Sequence, residues 1–262
     1  GIYIETKFIQ ASFASLQEIR DAILDFKESG KFVYAYGEYI SEADYYVASA
    51  ADSVFLNPEG SLEFNGLSAN IMFYKGLFDK LEIKPVIFRV GQFKSYVEPY
   101  TRKDMSEENK LQYSELLNSV YDFYLSEVSL TRNIDASILE DISDNMKINY
   151  AQDAAEYGLI DQVVYEDEVK AKLRKKLDVE EDRKINFMGI SKYAQVVKSK
   201  VEGKKEKIAI IVANGAIVPS GDEESVGGEQ YARYIREARE DDNIKAIVLR
   251  VNSPGGSLLG SD

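Results

Sequence analysis

Histidine and cysteine are both missing from the 262 residues. Without imidazole or thiol, the chain cannot build a Ser-His-Asp triad, a Cys-His dyad, an imidazole or thiolate zinc site, or an iron–sulfur site. Any base acting at neutral pH must be lysine, aspartate, glutamate or tyrosine. Internal disulfides are excluded too, so cysteine usage says nothing of redox compartment. Only 5 prolines and 17 glycines are present, against 45% hydrophobic and 29% charged residues, which is the composition of a folded globular chain. Basic residues are the minority: 32 Lys+Arg against 45 Asp+Glu leave a net charge of -13. That charge repels phosphate backbones, and no nucleic-acid partner is expected. No run approaches the ~20 apolar residues of a membrane span, and Gly1–Glu5 lacks the basic-then-apolar pattern of a signal peptide. The chain is expected to carry neither an anchor nor an address of its own. Its length suits one large domain, or one domain and part of another.

Strands alternating with helices predict an α/β layered fold. Residues 1–5 read as a strand, 15–29 as an amphipathic helix stopped by Gly30, and 31–37 as a second strand. The small apolar stretch 47–56 ends in a predicted turn, Asn57-Pro58-Glu59-Gly60, and 68–80 reads as a helix. KPVIFRV, residues 84–90, is rich in β-branched side chains and reads as a strand ending at Gly91. A long helix is predicted over 106–128. Ser106 caps it, Glu107 and Glu108 suit the dipole of its first turn, and a tyrosine-rich stripe is assigned to the core or a subunit contact. Further helices are predicted at 150–157, 166–177 and 229–240, with buried strands at 208–213 and 246–251. The charged, irregular stretch between them divides the chain into residues 1–177, a linker 178–206, and residues 207–262.

Sliding the chain on itself by 245 residues pairs Ile2-Tyr3-Ile4 with Ile247-Val248-Leu249, Gln10-Ala11 with Gly255-Gly256, and Ser12 with Ser257. Each segment is a strand, a polar bend and the expected start of a helix. The reading is a tandem repeat whose second copy opens near Lys207 and is cut short at Asp262. A strand at 246–251 would otherwise lack the helix that covers it.

Two places can carry chemistry. Gly255 and Gly256, in Asn252-Ser253-Pro254-Gly255-Gly256-Ser257, follow a strand directly. They make either a tight strand-to-helix turn or a backbone N–H cradle for an oxyanion or phosphate. No Gly-Lys-Ser/Thr follows, so this is not a Walker loop. Lys94 sits just past Gly91 among Phe93, Tyr96, Val97 and Tyr100, with Arg89 and Arg102 nearby. Its side chain either snorkels over those rings or is desolvated into a general base. The second role needs its pKa to fall from ~10.4 toward ~7, roughly 4–5 kcal/mol of environmental bias.

The segments FRVGQFKSYVEPYTRKDMS, YYVASAADSVFLNPEGSLEFNGLSANIMFYKGLFDKLEI, ANGAIV, VGGEQYARYIREARED and IKAIVLRVNSPGGS resemble, in this order, the long tandem-repeat form of the signal peptide peptidase A (protease IV) family. The resemblance implies a ClpP/crotonase-like fold and a membrane-associated Ser-Lys dyad peptidase that degrades cleaved signal peptides. It places the catalytic lysine of a Lys-Ser-x-Val-Glu-Pro motif on Lys94 and the oxyanion glycines on Gly255 and Gly256. The nucleophile belongs to a Ser-Gly-Gly-Tyr motif beyond Asp262. In the first copy Glu42 takes the serine's place, Ser41 being one residue out of register, and the same offset puts the nucleophile near position 287. The resemblance further implies hydrophobic peptide substrates, no cofactor or metal, and a homo-oligomer, a tetramer. It implies membrane attachment through a segment absent here, at the bacterial inner membrane with the catalytic domain on the periplasmic side. Alone, this chain is expected to be inactive. A crotonase-like acyl-thioester enzyme and a non-catalytic assembly scaffold are the alternatives.

Overall fold

The computed structural model describes residues 1–196, 206–222 and 224–262. They form two units, Gly1–Ile185 and Asn186–Asp262, so the division falls inside the stretch predicted as linker. Strand Ile2–Glu5 (β1) opens the first unit and leads into helix Phe13–Glu28 (α1), then strand Val33–Ile40 (β2), helix Glu42–Ala48 (α2) and strand Ser53–Leu62 (β3). Short helices Lys75–Lys80 (α3) and Glu98–Thr101 (α4) precede the long helix Glu107–Arg132 (α5). Ala136–Asp144 (α6), Ala151–Glu156 (α7), strand Gln162–Val163 (β4) and helix Glu166–Leu177 (α8) complete it. All four strands are parallel, in the order β1-β2-β3-β4.

Both faces of this sheet are covered, and side-chain alternation decides which residue serves which face. Val33 and Ala35 of β2, with Val54 and Leu56 of β3, point into a core shared with Leu16 of α1, Tyr45 and Tyr46 of α2, and Tyr124 and Val128 of α5. Tyr36 and Phe55, register partners in between, point the other way, onto Val169 and Leu173 of α8. The tyrosine stripe of α5 is thus partly core: Tyr124 is buried, while Leu111 near the helix start is exposed. Charge is buried in this unit at Arg20, Asp44 and Glu98. The fully buried Arg20 of α1 donates to the carbonyls of Tyr46 (2.5 Å) and Glu127 (2.7 Å), to Ser49 Oγ and to Thr131 Oγ1, and pairs with Glu127 at 3.3 Å. It ties α1, α2 and α5 together with every donor direction occupied.

Three expectations are corrected here. The predicted turn at 57–60 does not end the apolar stretch but lies inside β3, which pairs with β2 through Gly37↔Leu56, then again at Tyr39↔Ser61. The four intervening residues bulge out, with Asn57 Oδ1 accepting from Glu59 N–H (3.0 Å), and pairing resumes. The predicted helix 68–80 survives only as α3, because the segment before it is held by its backbone elsewhere, the Tyr74 N–H donating to the Pro99 carbonyl (2.7 Å). Residues 84–90 form no strand; Phe88 is 95% exposed. β-propensity is a fit to a pleated, half-buried surface, and among the described residues this segment pairs with no strand.

The second unit holds helix Ile190–Val196 (α9), within the stretch predicted as irregular linker. It continues with strands Lys207–Asn214 (β5), Ile217–Val218 (β6) and Val226–Gly227 (β7), helix Gly228–Glu240 (α10), strand Ile244–Asn252 (β8) and helix Leu258–Ser261 (α11). β5 and β8 pair in parallel from Ile208↔Ala246 to Asn214↔Asn252. The prediction that both are buried is met on one side only. Ile211 and Ala213 are buried, whereas Ile208, Ile210 and Val212, alternating with them, are exposed, as is most of β8.

Candidate active site

The lysine candidate is built outward from the start of α5. Ser106 caps that helix, its hydroxyl accepting from Asn109 N–H (3.2 Å), as the sequence predicts. The buried Glu98, first residue of α4, closes on the same helix end. Its carboxylate accepts from Ser106 N–H (3.0 Å), Ser106 Oγ (2.5 Å) and Asn109 Nδ2 (3.0 Å). Burial pushes the Glu98 pKa up, but the bonds from Ser106 and Asn109, with Arg102 nearby, outweigh it and hold the carboxyl below its ordinary value. Two further side chains lay the preceding turn along α5: Gln92 Nε2 donates to Glu108 Oε1 (2.8 Å), and Ser95 Oγ to Gln112 Oε1 (3.4 Å).

Lys94 stands between these attachments. Gly91, at φ +99°, makes the bend that opens the turn, and a short 3₁₀ segment Ser95–Val97 follows. The Lys94 main chain is held at both ends, its N–H donating to Gly91 O (3.4 Å) and its carbonyl accepting from Arg89 Nη1 (3.4 Å). Its side chain is exposed and forms no ion pair among the described residues. The expected desolvation among Phe93, Tyr96 and Tyr100 is therefore not supplied by this unit, because Phe93 and Tyr96 are themselves exposed, like Val86, Phe88 and Val90 before them.

In the second unit, Gly255 and Gly256 leave β8 at φ +95° and +153°. The turn is clamped to β6: Ile217 N–H donates to Gly255 O (3.0 Å), and Ser257 N–H to Ile217 O (2.8 Å). A Cβ on Gly256 would run into the Ile217 carbonyl, so glycine is required there. The Gly255 N–H is taken by Ser253 Oγ (3.1 Å), whereas the Gly256 N–H has no acceptor among the described residues.

The internal repeat has matching local geometry. Ser12 and Ser257 are both N-caps of the helix after the bend, each hydroxyl accepting the N–H three residues on. In the first unit the bend lies beside the start of α2, where Ile9 N–H donates to Asp44 Oδ1 (3.2 Å). Ser41 there is a capping residue, bonded through its hydroxyl to Asp44 Oδ2 and Asp44 N–H, and so is engaged structurally. Glu42 turns its carboxylate onto the N–H groups of Asn65 (2.9 Å) and Gly66 (2.7 Å). Beside it opens an apolar pocket of about 80 Å³ lined by Phe13, Leu16, Leu67, Tyr121 and Tyr124. Neither the Glu42 contacts nor helix α6 figured in the sequence reading. Asp135, which caps α6 through Ser137 N–H, was the signal for the latter.

The signature described as "Peptidase family S49" matches residues 25–180. The chain is 36% identical over 273 residues to Protease 4 of Haemophilus influenzae and 37% over 272 residues to Protease 4 of Salmonella typhi. It is 34% identical over 271 residues to "Serine protease SPPA, chloroplastic" of Arabidopsis thaliana. All of this chain is covered in each case, but only 44%, 44% and 40% of those proteins, so it spans less than half their length. On the family match and these identities, the chain belongs to peptidase family S49.

Proposed function

We propose that this chain is the base-carrying part of a serine peptidase working through a Ser-Lys dyad. One observation supports this above the rest: Lys94 has an anchored main chain and an unpaired ammonium, mounted on the start of α5. A general base needs a rigid mount and a side chain not already spent on a carboxylate. The nucleophile is a serine outside this chain, near position 287 by the repeat offset. The first unit supports that placement, since the bend at Gln10-Ala11 adjoins the start of α2, where Glu42 stands in the serine's place. The same adjacency in the second copy would set the serine beside Gly255 and Gly256.

In the reaction, the serine hydroxyl attacks the peptide carbonyl while neutral Lys94 takes its proton. The carbonyl oxygen, now negative, is held by N–H groups of the Gly255-Gly256 turn, Gly256 having the free donor. The ammonium then protonates the leaving amine, and water repeats the sequence to release the acyl group. Each oxyanion donor is worth ~2.7–4 kcal/mol in the transition state. Desolvation of Lys94 comes from polypeptide laid over Val86, Phe88, Val90 and Tyr96 in the assembled enzyme, a homo-oligomer. Its substrates are extended hydrophobic peptides such as cleaved signal peptides, met at the membrane. Among the described residues no helix is long and apolar enough to cross one, and attachment is assigned to another segment.

The test is Lys94→Ala in the full-length protein, assayed on an apolar peptide. Turnover is expected to fall by ~10²–10⁴-fold, the usual worth of a positioned base. Near-wild-type hydrolysis would remove Lys94 from the mechanism.

A further inference from the structure

We infer that Glu98 is the positioning residue for Lys94, a role that rests on the reading of Lys94 as the base. The carboxylate is buried at the start of α5, where it accepts three hydrogen bonds, two from Ser106 and one from Asn109. Arg89 approaches the same carboxylate oxygen that Ser106 Oγ holds, its Nη1 lying 3.9 Å from Glu98 Oε1, and it donates to the Lys94 carbonyl at 3.4 Å. Arg89 thus reaches both Glu98, at ion-pair distance, and the Lys94 carbonyl, at the long end of a hydrogen bond. The two flanking attachments, Gln92 to Glu108 and Ser95 to Gln112, join exposed side chains and are weakly held in water. Glu98 alone is shielded from solvent and charged, which makes its bonds the strong members of the set. It does not touch the reacting atoms. It sets where the Lys94 backbone lies, and a displacement of about 1 Å at a catalytic group can cost ~10²-fold in rate.

Glu98→Gln in the full-length enzyme keeps the size and one acceptor oxygen but loses the charge. In the charged form Glu98 is acceptor only; an amide can keep its oxygen on Ser106 N–H and Asn109 Nδ2 and turn its NH₂ to Ser106 Oγ, so what it loses is the charge that strengthens these bonds and faces Arg89. The weakened hold lets the turn shift, and Lys94 leaves the cover that the assembled enzyme lays over it. The acid limb of kcat/KM moves to higher pH by about one unit, giving a loss of roughly tenfold below the limb and partial recovery above it. Thermal unfolding is recorded alongside. A variant that only destabilised the fold would lower the whole profile without moving its limb, and that result overturns the inference, as does an unchanged profile. Glu98→Asp, which keeps the charge, is expected to restore part of the shift. If Glu98→Gln yields no folded enzyme, Ser106→Ala carries the same test. It removes one donor and leaves the carboxylate, and a limb that stays put sinks the idea. Lys94→Ala run in parallel separates the two readings. An active Lys94→Ala enzyme defeats the base assignment, whereas an inactive one beside an unshifted Glu98→Gln profile defeats only the positioning role.

Discussion

Glu42, at the start of α2, is a carboxyl pulled two ways. Burial beside Phe13, Leu67 and Tyr124 raises its pKa, and the N–H groups of Asn65 and Gly66 pull the other way without cancelling the rise. A carboxyl whose folded pKa lies above its unfolded value is held best when protonated. Its contribution to stability is therefore present at low pH and is lost as pH rises through the folded value. Glutamine keeps the acceptor for both N–H groups and removes the charge. Glu42→Gln is expected to match or exceed the parent in urea unfolding at pH 7, with its advantage shrinking as pH falls toward 4. Glu42→Ala leaves two N–H groups without their partner and should cost about 1 kcal/mol at either pH. If Glu42→Gln proved the more damaging of the two, the charge itself would be holding the 65–66 turn.

At the scale of elements, β3 shows how a turn sequence can sit inside a strand. Gly60 ends the bulge, and a Cβ there would collide with the Glu38 carbonyl on β2 and crowd the Asn57 carbonyl. Both obstacles are backbone, so neither can swing aside. Gly60→Ala is expected to destabilise by about 1–3 kcal/mol, the usual range for overpacking, read as a lower urea midpoint with unchanged slope. The bulge also marks a limit of sequence reading. Asn57-Pro58-Glu59-Gly60 correctly signals a local bend, yet whether a strand resumes after it depends on β2, some twenty residues earlier. Local signals are legible: the Ser106 cap, the acidic first turn of α5, and α8, which lies at its predicted residues 166–177. The failures were non-local. Residues 84–90 have strand composition and no partner, and β5 and β8 have core composition on a two-stranded sheet. Lys94 and the glycine pair were legible as candidates, but the contacts of Glu98 were not, because they join α4 to α5 through side chains eight and eleven residues apart.

The two units differ most in how much they bury. Every buried side chain of both clusters in the first unit, from Leu16 to Leu173, belongs to that unit, and Ile185 packs at the edge of the smaller cluster. Among its described residues the second unit buries few hydrophobics, Ile211, Ala213, Val226 and Ala238. At ~1.5–3 kcal/mol for a fully buried large side chain, four residues, two of them alanine, cannot offset ~1–2 kcal/mol of backbone entropy per ordered residue. Residues 1–185 made alone are therefore expected to unfold in one cooperative step on heating, with a midpoint close to that of the first transition of the whole chain. Residues 186–262 made alone should show no cooperative transition and little protection of their amides from exchange, because the Ile208, Ile210 and Val212 face of β5 is exposed. A sharp transition in that shorter piece would mean that its sheet is stable without further cover. The second copy would then be a self-sufficient domain, and its exposed face would need another explanation.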